Sequence, residues 1–107
     1  MSPRTLRNVL SFIEENLGEE LSLRAVAQVA GLSVSHFKGL FHESVGQSVH
    51  RYLIRRRVER AAELLRERTL PIGQVALEVG FCHQSHLAMH MRKLLGVSPS
   101  QVRQSCH

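Results

Sequence analysis

A cysteine and three histidines crowd one short stretch of this 107-residue chain: Cys82, His83, His86 and His90. His86 and His90 stand four residues apart, one turn of a helix, and Cys82 stands one turn further back. That spacing can bring two imidazoles and a thiolate to one zinc or nickel ion. No HExxH or EF-hand carboxylate accompanies them, and His86 has a counterpart, His36, fifty residues earlier, which a structural role explains. The expectation is therefore no resident metal or other cofactor, with Cys82, His86 and His90 kept as an alternative metal set. Enzyme chemistry has less to stand on. The chain has no Asp, no glycine-rich phosphate loop, no serine elbow and no recognisable pair of carboxylates, so no enzyme is expected. What the chain has in quantity is arginine: twelve Arg and two Lys against nine Glu, a net charge of +5. Arginine suits bidentate contact with phosphate and with guanine.

A basic balance favours nucleic acid or an anionic membrane as partner. No apolar run is long enough to span a bilayer, and no apolar h-region follows the polar start Met1-Ser2-Pro3-Arg4, so no membrane is expected. Cys82 and Cys106 lie in different contexts and make no disulfide framework, which fits a reducing cytoplasm. With 43% hydrophobic residues the chain can bury a modest core, as one domain or as two small subdomains sharing a helix.

The sequence also repeats itself. Leu23, Val26, Ala27, Ala30, Gly31 and Leu32 are echoed by Ile72, Val75, Ala76, Val79, Gly80 and Phe81 at an offset of 49 residues. After one inserted residue the echo resumes at an offset of 50: His36-Phe37 with His86-Leu87, Phe41 with Met91, Gly46 with Gly96, Ser48 with Ser98. Each copy reads as a short helix, a glycine turn and a second helix. That is a helix-turn-helix, whose second helix can enter the DNA major groove.

The elements follow from period and punctuation. Ser2-Pro3 opens a helix carrying Leu6, Val9, Leu10, Ile13 and Leu17 at helical spacing, and Gly18 is expected to stop it. Ser22 caps the next, which buries Val26, Ala27 and Ala30 and closes on Gly31 at positive φ. Ser33 caps the first reading helix, with Phe37, Leu40 and Phe41 inside and Gly46 at its end. A long helix from about Ser48 to Arg68 turns Val49, Leu53 or Ile54, Val58, Ala61, Ala62 and Leu65 inward; Glu59, Glu63 and Glu67 can pair with its arginines. Pro71 fits the first turn of the following helix, and Gly80 repeats the turn. A second reading helix runs from about His83 to Leu95, with Leu87, Met91 and Leu94 inside, and Ser98 caps a last helix from Pro99 to about Gln104. No segment alternates with period two. The fold class is all-α, with about seven helices. Two three-helix helix-turn-helix subdomains, about 4–47 and 70–104, are joined by a central helix over about 48–68.

The ordered set Arg57-Val58-Glu59-Arg60-Ala61-Ala62-Glu63-Leu64-Leu65, Ile72 to Phe81, Gln84-Ser85-His86-Leu87 and Gly96-Val97-Ser98-Pro99 resembles the DNA-binding domain of the AraC/XylS family of bacterial transcription regulators. The likeness spans Leu6 to Arg103. It implies a regulator, usually an activator, that reads two successive major-groove segments of promoter DNA with two recognition helices and contacts RNA polymerase. It implies a monomer for the isolated domain. Family members mostly carry a further ligand-binding or dimerisation domain, and this length leaves no room for one. The chain is thus expected to be the C-terminal piece of a longer regulator, the alternative being a stand-alone one.

Base reading needs polar groups on the outer side of each recognition helix. In the first copy these are Ser35, Lys38 and Gly39, beside Val34; in the second, Gln84, Ser85 and Met89, beside Ala88. Gln84 suits adenine, Lys38 guanine, and the two serines several bases, while Val34, Ala88 and Met89 can touch only a thymine methyl or a sugar. Met89 departs from a family pattern that often places arginine there, and Gly39 or Ser35 from one that often places arginine or an aromatic there. Phosphate anchoring is implied at the helix starts Gln47-Ser48 and Ser98, with Arg51, Arg55, Arg92 and Lys93 as side-chain partners. The competing readings are a metal-responsive DNA-binding domain and a module that docks an acidic protein.

Overall fold

Most of the predicted helices have a serine start signal, and the computed structural model, which describes residues 1–67 and 69–105, places seven α-helices and no strand among those residues. They are α1 (Pro3–Glu15), α2 (Leu23–Ala30), α3 (Val34–Val45), α4 (Val49–Glu67), α5 (Ile72–Glu78), α6 (Gln84–Leu95) and α7 (Pro99–Gln104). The hydroxyls of Ser2, Ser22, Ser33 and Ser48 accept hydrogen bonds from the backbone N–H of Thr5, Ala25, His36 and Arg51. Each bond satisfies a donor that the helix itself leaves open. Ser98 goes further: its hydroxyl accepts from Gln101 N–H while the Gln101 side chain accepts from Ser98 N–H at 2.8 Å, a reciprocal cap on α7.

The chain divides into two compact units, Met1–Leu53 and Ile54 onward. In the first, α1 packs on α2 and α2 on α3. Val9, Ile13, Leu17, Val26, Ala27, Phe37, Phe41 and Val49 form its core. The Phe37 and Phe41 rings lie 5.6 Å apart, and Tyr52, from the first turn of α4, stands edge-on to Phe41 at 5.7 Å. In the second, α5 packs on α6 and α6 on α7. Val58, Ala61, Ala62, Leu64, Leu65, Val75, Ala76, Val79, Phe81, Leu87, Met91 and Val102 form that core. α4 thus gives Val49, Tyr52 and Leu53 to one core and its inward residues from Ile54 on to the other.

The two turns that define the motif are held by glycine. Gly31 closes α2 at φ +69°, and Gly80 follows α5 at φ +98°. A side chain at either φ meets its own carbonyl, so only glycine is at ease there.

Several local expectations are corrected. α1 ends at Glu15 with Asn16 as cap, not at Gly18, because the Asn16 side-chain amide donates to the Phe12 carbonyl at 2.9 Å and closes the last turn itself. Pro71 is the cap of α5 rather than its first residue, its carbonyl accepting from Gln74 and Val75 N–H. Leu94 is 39% exposed, not inside; Val97 and Val102 close the core at that end. The expected helix end at Arg68 and the thiol of Cys106 lie outside the described residues.

Candidate nucleic-acid interface

α3 and α6 have the same division of labour. Their inner faces are fully committed: Phe37, Phe41, Leu87 and Met91 are all 0% exposed. Their outer faces carry no core residue. On α3, Ser35, Lys38 and Gly39 are exposed, and on α6 so are Gln84, Ser85 and Met89. All six expected base readers are therefore on the solvent side of their helices. Val34 is not: it is half-buried and packs against the first core, leaving it little surface for a base. A methyl built on Gly39 meets nothing within 4 Å, so the surface there is an open gap. The Gln84 amide rests over the start of α5, its Oε1 3.4 Å from where a Cβ on Gly73 would stand.

The expected phosphate partners fall into two groups. Arg51, Arg92 and Lys93 are exposed, and among the described residues no ion pair holds their side chains. Gln47 and Arg55 each already have a partner within the protein. The Ser48 hydroxyl caps α4, and both the hydroxyl oxygen and the N–H of Ser98 are used in the α7 cap. Each of these serines still offers its hydroxyl proton.

Other arginines do structural work that the sequence did not reveal. Arg57 is half-buried and donates to the Gly80 carbonyl at 3.3 Å. It ties α4 to the turn that aims α6. Burial pushes its guanidinium below the ordinary arginine value, opposed in part by the nearby Cys82 thiol. Arg103 donates to the carbonyls of Leu65 and Leu70, joining α7 to the end of α4 and to the segment after it. Arg56 and Arg60 pair with Glu59 and Glu63 at 2.9 Å, one turn along the same helix. No neighbouring residue singles out either Arg57 or Arg103.

The metal alternative does not assemble. The His90 ring stacks on Phe81 at 5.7 Å, and His86 stands edge-on to His83 at 5.5 Å. His86 and His90 thus face different neighbours. Among the described residues no three His, Cys, Asp or Glu side chains gather where one ion could be held. No described helix is long and apolar enough to cross a membrane.

Comparison with known proteins agrees with this geometry. A family model described as a helix-turn-helix domain matches residues 26–105. The chain is 36% identical over 93 residues to the probable transcriptional regulator LumQ of Photobacterium leiognathi, covering 87% of this chain and 38% of that protein. It is 35% identical over 100 residues to the HTH-type transcriptional activator AarP of Providencia stuartii, covering 94% and 74%. The chain thus spans well under half the length of the first of these relatives and about three quarters of the second. Among solved structures, the DNA-binding domain of the global transcriptional factor AdpA, in complex with a target DNA, superposes with a TM-score of 0.88 at 30% identity, covering 94% of this chain and 91% of that one.

Proposed function

The chain belongs to the AraC-type helix-turn-helix family, and from that premise we propose that it binds double-stranded promoter DNA sequence-specifically and regulates transcription, as an activator. The observation that carries this reading is the pair of helices α3 and α6. Each follows a glycine turn and is anchored by two fully buried side chains, and each turns a short row of exposed residues outward. Two such helices in one chain read two groove segments of an asymmetric site, so the domain acts as a monomer. Ser35, Lys38 and Gly39 read the first segment, and Gln84, Ser85 and Met89 the second. Arg51, Arg55, Arg92 and Lys93, with Gln47 and the helix starts at Ser48 and Ser98, hold the phosphates. In this division 4–47 and 70–104 are the reading subdomains and α4 is the helix that links them. The domain is not an enzyme, acts in the cytoplasm where the DNA is, and meets RNA polymerase at the promoter.

Selection from random duplex DNA by the purified chain, followed by footprinting of the winners at physiological salt, tests the reading. The expected result is two short blocks about one helical turn apart on one face of the duplex. One block alone means that one subdomain anchors without reading. Binding without any consensus, or no binding, refutes sequence-specific regulation by this chain.

A further inference from the structure

We propose that α6 selects a 5-methylpyrimidine in the major groove and that Met89 is the residue that senses the methyl group; the inference rests on α6 being a DNA-reading helix. The outer face of α6 is Ser85, then Met89 four residues on, then Arg92 three residues further, all exposed, with half-buried Ala88 beside Met89. Met89 is 45% exposed although it is large and apolar. It is no part of its unit's core, while Leu87 and Met91 on the opposite face are fully buried. A thioether is a weak acceptor and no donor, so it cannot read the hydrogen-bonding edge of a base. What distinguishes bases for such a side chain is the C5-methyl group, the only apolar feature of the major-groove edge. The equivalent stretch of α3 is Lys38-Gly39, a cation beside an open gap. The two helices therefore present unlike chemistry: one suits the guanine acceptors, the other a methyl. A target recognised by both is non-palindromic in composition as well as in arrangement.

Thymine and 5-methylcytosine offer the same methyl group, and the experiment separates them. The full chain selects a duplex from a thymine-containing random pool. Ser85→Ala and Lys38→Ala then identify which block belongs to α6, since each relaxes only its own block. In that block each thymine is replaced by uracil, which pairs identically but lacks the methyl, and each cytosine by 5-methylcytosine. Burying one methyl group contributes about a fourfold gain in affinity. The expected result is a loss of about that size for uracil at one position, which marks thymine as the target, or a similar gain for 5-methylcytosine, which marks methylated DNA. Met89→Leu keeps the difference and Met89→Ala abolishes it. If neither replacement matters anywhere in the block, or if the difference survives Met89→Ala, methyl sensing by Met89 is wrong while DNA reading stands. A selection that enriches no block refutes the DNA-reading premise itself.

Discussion

Lys38 and Arg51 are both exposed cations of the first unit, yet they are expected to fail differently. Lys38 stands on the outer face of α3, where the proposed reading gives it the acceptors of guanine; Arg51 lies in the first turn of α4, where the proposed reading gives it a phosphate. Lys38→Ala should lower affinity for the selected site by about 1–3 kcal/mol and relax one base position, and Gln84→Ala should do the same in the other block. Arg51→Ala or Arg92→Ala should weaken selected and random duplexes alike. Titrations of each variant against both duplexes decide the matter: four identical profiles would mean that the base readers are misassigned. Gly39 adds a test of opposite sign. It lies inside a helix with open space where a Cβ would stand, so Gly39→Ala should stabilise the free protein by about 1 kcal/mol. If the gap is there to let α3 approach the bases, the same change should weaken specific binding, and thermal melts with parallel titrations read the two effects separately.

At the scale of the element, stability depends on bonds of two kinds. The caps are local: Ser22, Ser33 and Ser98 each serve a backbone N–H three residues away. Such a signal is written in adjacent letters, which is why the starts of α2, α3 and α7 were legible in the sequence, as were the glycine turns and the inward Phe37, Phe41, Leu87 and Met91. The second kind is not local. Arg57 reaches a carbonyl 23 residues on, and Arg103 reaches back 33 and 38 residues. In the sequence both are merely members of a basic surface, because nothing in a neighbouring residue says that a guanidinium will be turned inward. Asn16 was hidden for a related reason: the glycine two residues later is the stronger stop signal, and the side-chain amide acts first. The exposure of Leu94 depends on how Val97 and Val102 close the core, which no period can show. Within the candidate site the outward residues of α3 and α6 were legible from the helical period, and so was the Ser98 cap, whereas the prior engagement of Gln47 and Arg55 was not. Arg103→Ala should therefore cost more than its surface charge suggests. It leaves the carbonyls of Leu65 and Leu70 without that donor, and a loss of about 1–3 kcal/mol is expected, read as a lower urea midpoint at unchanged slope.

At the scale of the whole molecule, the charge is unevenly shared. The first unit, to Leu53, has five basic and five glutamate side chains; from Ile54 onward there are nine basic and four glutamate, so the entire net charge of +5 belongs to the second unit. Much of that positive charge is committed within the protein. Arg57 and Arg103 hold backbone carbonyls, and Arg56 and Arg60 are paired with glutamates. The nine basic residues of the second unit therefore overstate the number of cations there that can meet phosphate. The four proposed side-chain partners are Arg51, Arg55, Arg92 and Lys93. Each phosphate neutralised by a cation contributes about −0.9 to the slope of log K against log salt, so these four alone give a slope of about −4. Six to eight contacts, the number reached if the helix starts also displace counterions, would give about −5 to −7. Affinity measured on the selected duplex across a salt series reads this number directly. A slope near −4 that falls by about one in Arg92→Ala supports side-chain anchoring by these residues. A slope shallower than about −2 would mean that most of the four never touch the backbone, and that the basic character of the second unit serves its own folding rather than DNA.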